Sequence, residues 1–165
     1  MAKKSAFLVE KPEDSLGFLL WKNTTIWQRK IKAALASFDI SHAQFVIMAA
    51  ARWFFETKQE PTQVGLANLT GLDKMTISKS LKKLAALGIV SRAEDVRDTR
   101  AKTVILTAKG NNLIEKLVAI VEDVDSQFFG VLLNKEQIAL NQIFRKLDEK
   151  NTEWDNENSQ KNGMR

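Results

Sequence analysis

Lysine and hydroxyl side chains recur at helical spacing between residues 74 and 83, and this segment contains no carboxylate. Such side chains donate hydrogen bonds to base edges and phosphate oxygens, and the major groove of duplex DNA admits one α-helix. The pattern predicts a helix whose outer face contacts DNA, with a solvated charge as the alternative at any single position. The candidate contacts are Thr76, Ser78, Lys79 and Lys82 in the groove, with Lys74 and Lys83 at phosphates.

The other side of this helix is apolar, because Ile77, Leu81, Leu84 and Gly88 recur at one face and are expected to be buried. Asp73 is a suitable N-cap, and the helix should continue to about Leu87. A shorter helix is predicted over residues 62–70. It should begin at the N-cap Thr62, end at Gly71 in a left-handed conformation, and bury Val64, Leu66, Ala67 and Leu69. The two helices together predict a helix-turn-helix.

A β-hairpin should follow, since Ile89–Val90 and residues 103–106 are apolar and flank the charged segment 92–100. Arg97 and Arg100 at its tip are placed to reach phosphates or a narrow minor groove. Asp98 is an anion, so its expected role is to stabilise the hairpin rather than to contact DNA. A hairpin in this position makes the module a winged helix-turn-helix.

The hairpin and its flanks resemble the MarR family of bacterial transcription regulators. Asp98-Thr99-Arg100, Leu106-Thr107 and Gly110 match the family's wing pattern Asp-x-Arg-x5-Leu-Thr-x2-Gly. The run from Leu84 to Arg92 and the segments Leu66-Ala67 and 73–78 match as well. Gly65 departs from the glutamate usual in the family, which removes a surface charge and some helix propensity. A looser resemblance covers residues 16–147.

Composition limits the alternatives. The 165 residues carry a formal net charge of +5, and residues 62–102 hold eight Lys or Arg against four acids. The absence of cysteine excludes disulfides, Cys-ligated zinc and thiol oxidation, and His42 is the only histidine, so we predict no metal and no cofactor. No apolar run approaches 18 residues and no signal peptide is evident, so we expect a cytoplasmic protein without a membrane partner.

Long helices should flank the winged module on both sides. The predicted fold class is mainly α with a small β-hairpin wing, a winged helix-turn-helix flanked by long dimerisation helices. Before the module, Ser15 should cap a helix that ends near Phe38, and Ser41 should cap one that ends near Lys58. After it, Thr107 should cap a helix to about Leu132, and Asn134 should start the last helix. The predicted domains are a flexible arm (1–14), two dimerisation and core helices (15–58), the winged module (59–106), two dimerisation helices (107–150) and a disordered tail (151–165).

The apolar stripe from Leu113 to Val131, and the apolar residues from Ile138 to Leu147, are more than one winged module could cover. They therefore favour a homodimer, as the resemblance also implies. The arm, which contains Phe7-Leu8-Val9, either packs on a partner subunit or is disordered.

The resemblance implies a repressor that binds double-stranded DNA at a pseudo-palindromic operator and is released by a small-molecule effector. The effector would occupy a cleft for which the candidate lining residues are Trp27, His42, Phe45 and Trp53, and the favoured alternative is that they are ordinary core or surface residues. An enzyme is disfavoured, because the chain lacks cysteine, tyrosine and a Gly-rich phosphate loop. The remaining alternative is a winged domain that docks proteins. Such a domain should expose apolar residues between Lys74 and Lys83, where only Met75 qualifies.

Overall fold

The computed structural model of the chain describes residues 8–94 and 102–162, and the side chains of residues 8–91 and 103–151. It is mainly helical with one two-stranded antiparallel sheet, which confirms the predicted fold class. The elements are α1 (Leu16–Leu35), α2 (His42–Glu56), α3 (Gln63–Thr70), α4 (Lys74–Ala86), β1 (Val90–Glu94), β2 (Lys102–Leu106), α5 (Ala108–Phe129) and α6 (Asn134–Asn162). The chain divides into two compact units, Met1–Val124 and Asp125–Arg165.

Each helix in the first unit begins at the polar residue that the sequence predicts. An unpaired N–H group in the first turn donates to the side chain of that residue, which satisfies a donor that the helix itself leaves free. The capping residues are Ser15, Ser41, Thr62, Asp73 and Thr107. At Ser41 the cap is reciprocal, because the Gln44 side chain also accepts from the Ser41 N–H at 2.8 Å.

Left-handed residues follow α3 and α4 and end the 3₁₀ turn after α1. Gly71 and Gly88 both have φ of 67°, and Asp39 has φ of 51°. Gly88 is exposed rather than buried, so that prediction was wrong. Its left-handed backbone turns the chain out of α4 before the apolar face could continue through it. Similarly, α1 ends at Leu35 rather than at Phe38, because a 3₁₀ turn over Ala36–Phe38 leads into Asp39.

One apolar core holds the first unit together, and α1 to α5 and the hairpin all contribute to it. Among its fully buried side chains are Ile31, Leu35, Ile47, Met48, Leu66, Ile77, Leu81, Leu84, Val104, Ile114 and Leu117. The short helix α3 buries only Leu66, and Val64 and Leu69 are more than half exposed, contrary to prediction. Of the leucine and valine side chains on this short helix, only that of Leu66 lies on the side that packs against the core.

Helix α5 buries part of the predicted stripe. Leu117 and Val121 are buried as predicted, together with Gly110 and Ile114, whereas Leu113 at the start of the stripe is only partly buried. The buried face includes Gly110, where the first turn of α5 lies close to Ile89, the residue before β1. Periodicity alone could not distinguish two apolar faces on one helix.

Strands β1 and β2 pair in register from Val90 with Leu106 to Glu94 with Lys102. The segment before α3 joins the sheet through a bridge between Thr62 and Thr103, and the Val104 N–H donates to the Pro61 carbonyl at 2.9 Å. This bridge attaches the helix-turn-helix to the base of the hairpin. The predicted tip residues Arg97, Asp98 and Arg100 lie outside the described residues.

The second unit comprises the end of α5 and all of α6. The apolar residues of α6 that were predicted to be buried are between 45% and 60% exposed in the single chain, namely Ile138, Ile143, Phe144 and Leu147. The helix continues to Asn162, beyond the end expected near residue 150. No proline or glycine occurs between Asn134 and Asn162 to end the helix.

Among the described residues, no single helix is long and apolar enough to cross a membrane. One pair of helical segments meets the length and composition required, Leu16–Phe38 with His42–Glu56, and these are bent by 82° at the break between them. Six residues of the second segment are buried in the core of the first unit, which accounts for its apolar composition.

Gly110 is the position at which added volume should be tolerated least. A Cβ atom there would lie 2.2 Å from the backbone oxygen of Ile89, so α5 would have to move away from the segment that leads into β1. We predict that Gly110→Ala lowers the free energy of unfolding by about 1–3 kcal/mol, measured by urea or thermal denaturation.

Gly17→Ala is the matched control. A Cβ at this α1 position meets nothing within 4 Å, and alanine favours helix by up to about 1 kcal/mol relative to glycine. The control should therefore be neutral or stabilising. Equal stability of Gly110→Ala and the wild type would contradict the close packing of α5 on β1.

Candidate nucleic-acid interface

Asp73 fixes the start of α4. Its carboxylate accepts from the Thr76 hydroxyl at 2.6 Å and from the Thr76 N–H at 2.9 Å. The hydrogen bond from the Thr76 side chain, followed by that from its backbone, lowers the pKa of Asp73 below its ordinary value of 3.8. The cap is therefore an anion at neutral pH, at the end of the helix where a negative charge is favourable.

The two faces of α4 differ sharply. Ile77, Ser80, Leu81 and Leu84 are buried against the core. Met75, Lys79 and Lys82 lie on the side opposite to these residues, and Lys74 and Ser78 are exposed beside them. The helix thus presents a continuous outer face that carries cations and no carboxylate.

Thr76 and Lys83, at one edge of this face, have partners within the protein. Thr76 is half-buried, and its hydroxyl donates to the Asp73 cap. Lys83 Nζ lies 3.6 Å from a carboxylate oxygen of Asp39, in the turn between α1 and α2. Sequence patterns do not predict this pair, because the two residues are 44 positions apart.

The first turn of α5 holds the other end of α4. Lys109 Nζ donates to the Leu87 carbonyl at 2.8 Å, and the Thr107 hydroxyl donates to the Gly88 carbonyl at the same distance. The Thr107 N–H donates to the Ile89 carbonyl at 3.0 Å. Sequence reasoning did not identify these contacts, although the Leu-Thr-x2-Gly pattern from Leu106 to Gly110 marks the segment that makes them.

A cavity of about 680 Å³ lies beside the helix-turn-helix. Its lining comes from the end of α1, the α1–α2 turn, the start of α2, the α3–α4 turn and Lys83 of α4. The lining residues are Trp27, Gln28, Lys32, Ala36, Asp39, Ile40, Ser41, His42, Ala43, Val46, Thr70, Leu72 and Lys83. Two lysines and one carboxylate make its charged lining net positive.

Of the four residues predicted to line a ligand cleft, two meet at this cavity. The rings of Trp27 and His42 pack edge to face, with centroids 5.0 Å apart. Phe45 and Trp53 do not line it. Phe45 is buried in the core, and Trp53 is 58% exposed near the end of α2. Phe45 lies between the lining residues Ala43 and Val46 but on the buried side of α2, and Trp53 lies about two turns further along that helix.

Sequence comparison identifies relatives over most of the chain. The family described as "ArnR1-like, winged-helix domain" matches residues 36–125. The HTH-type transcriptional regulator YdcH of Bacillus subtilis (strain 168) is 34% identical over 125 residues, which cover 76% of this chain and 85% of YdcH. Such relatives are transcriptional regulators, not enzymes.

Structural comparison gives the same family. Bordetella bronchiseptica BpsR superposes with a TM-score of 0.74 at 24% identity, covering 82% of this chain and 94% of BpsR. A variant of Escherichia coli MarR in complex with operator DNA superposes with a TM-score of 0.71 at 25% identity, covering 80% of this chain and 92% of that one. The chain belongs to the MarR-type winged-helix family of DNA-binding transcriptional regulators.

Proposed function

We propose that this regulator is a repressor that binds a pseudo-palindromic operator as a homodimer and is released by a small-molecule effector. The observation that carries the DNA-binding part is the outer face of α4, which is basic, free of carboxylates and capped at its N-terminus by Asp73. A face of this chemistry on a helix held rigidly from behind fits the major groove.

Within that face, we assign base contacts to Ser78, Lys79 and Lys82, and a phosphate contact to Lys74. Thr76 can contact a base with its methyl group or accept a hydrogen bond at its hydroxyl oxygen, since its hydroxyl proton is donated to Asp73. Lys83 would have to leave Asp39 to reach a phosphate. For the hairpin tip, the assignments remain those made from sequence, with Arg97 and Arg100 at the minor groove and Asp98 stabilising the wing.

The homodimer is supported by apolar surface that the single chain leaves in water. In α1, Leu16, Leu20 and Trp21 are 85%, 53% and 64% exposed. In α6, Ile138 and Ile143 are more than half exposed. Exposed apolar area of this extent is typical of a surface that a partner covers. Two such subunits would present their α4 helices to half-sites about one helical turn of DNA apart. We also propose that the protein acts in the cytoplasm, with the DNA it binds.

The effector would bind in the cavity lined by Trp27, His42 and Lys32. An aromatic ring can stack against Trp27 and His42, and a carboxylate can pair with Lys32 or Lys83. DNA binding by BpsR is regulated by 6-hydroxynicotinic acid, an aromatic acid of this kind. Binding would release DNA to the extent that the acid prefers a dimer whose α4 helices do not match the operator.

A protein-docking module remains the second candidate, on the ground of Met75. This side chain is 65% exposed at the centre of the α4 face. A docking surface would need further apolar neighbours, and its immediate neighbours on this face are lysines.

Loss of Lys79 should weaken operator binding by about tenfold or more. If Lys79 also neutralises a phosphate, the slope of log affinity against log salt should fall by about 0.9. Lys116→Ala is the control, because it removes the same charge from an exposed position on α5. Fluorescence anisotropy at several salt concentrations measures both quantities. Equal affinities of Lys79→Ala and Lys116→Ala would refute the assignment.

A charge on the apolar face of α6 should separate the subunits. We predict that Ile143→Glu shifts the protein to monomer in sedimentation experiments and weakens operator binding by at least about a hundredfold, since linked modules gain that much from a second half-site. Gln142→Glu introduces the same charge at the neighbouring exposed position and should remain dimeric. A dimeric Ile143→Glu protein would remove this face from the interface.

Aromatic acids should dissociate the operator complex, and removing the cavity cation should blunt the response. In Lys32→Ala, we expect the concentration of 6-hydroxynicotinic acid or a related acid required for half-release to rise by about tenfold or more. Lys116→Ala should respond as the wild type does. Release that is unaffected by Lys32→Ala would place the effector elsewhere, and no release by any aromatic acid would refute this ligand class.

A further inference from the structure

Arg52 links α2 to the beginning of α5. Its Nε donates to Glu56 Oε1 at 2.6 Å within α2, and its Nη1 donates to Asn111 Oδ1 on α5 at 2.8 Å. Its Nη2 lies 3.7 Å from Glu115 Oε1. The hydrogen bond to Glu56 and the charges of Glu56 and Glu115 raise the pKa of Arg52, so the guanidinium is always charged.

Asn111 continues this link into the junction between β2 and α5. While its oxygen accepts from Arg52, its Nδ2 donates to the carbonyls of Leu106 and Thr107 at 3.2 and 3.1 Å. One side chain therefore connects α2 to the last residue of the hairpin and to the N-cap of α5. Both functional ends of the amide are occupied within the protein.

The same junction supports the recognition helix. Thr107 and Lys109 donate to the carbonyls of Gly88 and Leu87, at the point where α4 ends. A series of hydrogen bonds thus runs from Arg52 through Asn111 and Thr107 to the end of α4 and the base of β1. Every member of this series belongs to the first unit of the chain.

We propose that Arg52 and Asn111, here called the α2–α5 clamp, are positioning residues for DNA recognition: they set the angle at which α4 and the base of the wing are held. The proposal rests on the operator binding proposed above. The apolar face of α4 fixes how deeply the helix packs, but apolar contacts are not directional. The hydrogen bonds of the clamp are directional, and groove contacts tolerate only about 0.5 Å of misplacement.

The clamp should act without contacting DNA. Two nitrogens of the Arg52 guanidinium donate to Glu56 and Asn111, and the side chain is 31% exposed. Loss of the clamp should therefore reduce affinity for the operator while leaving the salt dependence and binding to random DNA unchanged. A phosphate contact would show the opposite pattern, with a smaller salt slope on every duplex.

The test uses the duplex that the wild-type full-length protein selects from a randomised pool, titrated well below the melting transition. Arg52→Ala and Asn111→Ala should each weaken binding by about threefold to thirtyfold. The double variant should be no weaker than the worse single variant, because the two side chains act through one contact. Asn111→Asp keeps an acceptor for Arg52 but loses the donor to Leu106 and Thr107, and it should bind as weakly as Asn111→Ala.

Two controls separate position from charge and from stability. Glu56→Ala removes the partner of Arg52 within α2 but leaves the link to Asn111, and Lys116→Ala removes one positive charge from α5. Both should bind the selected duplex as the wild type does. Circular dichroism melting checks that each variant is folded at the temperature of the titration. A variant that is less stable but still folded should bind the selected duplex with wild-type affinity.

Each result decides between the hypotheses. Wild-type affinity in folded Arg52→Ala and Asn111→Ala would overturn the clamp as a positioning device. A salt slope lowered by about one in Arg52→Ala would make Arg52 a phosphate contact and overturn it equally. Failure of the wild type to select any duplex would instead refute the proposed operator binding, which distinguishes the two proposals.

Discussion

The contact between the first turn of α5 and the end of α4 is the constraint on which the rest of the first unit depends. Thr107 holds the carbonyls of Gly88 and Ile89, and Gly110 allows α5 to approach Ile89 more closely than any side chain would permit. Through this contact, one core covers both the helix-turn-helix and the long helix that leaves it. Apart from Met75, the outer face of α4 between Lys74 and Lys83 can be polar because the other face of the helix is covered by the core.

Local sequence was sufficient where a structure depends on neighbouring residues. The caps at Ser41, Thr62 and Asp73, and the left-handed turn at Gly71, each involve residues within a few positions of one another, so their types and spacing predict them. The alternation of apolar and basic residues predicted the buried and exposed sides of α4 for the same reason. The pattern of residues in the wing indicated the protein family.

The predictions of buried residues failed where burial depends on which element packs against the helix. Leu69 is as apolar as Leu66, yet only the latter faces the core, and on α5 Ile114 is buried while Leu113 is only partly buried. The cavity and the pair of Asp39 with Lys83 join segments far apart in sequence, which no periodicity records. The polar composition after residue 150 does not predict the continuation of α6, although the segment lacks helix-breaking residues.

The pair of Asp39 and Lys83 bears on how the protein would respond to ionic conditions. When a free lysine meets a phosphate, a condensed cation leaves the DNA and gains entropy. Lys83 already has a carboxylate 3.6 Å away, and both side chains are more than half exposed, so the pair contributes little free energy in water. Transfer of Lys83 to a phosphate would therefore cost little, and the cation released from the DNA would still count in the salt dependence. Asp39 thus directs the Lys83 side chain in the free protein without setting the ionic response of the complex.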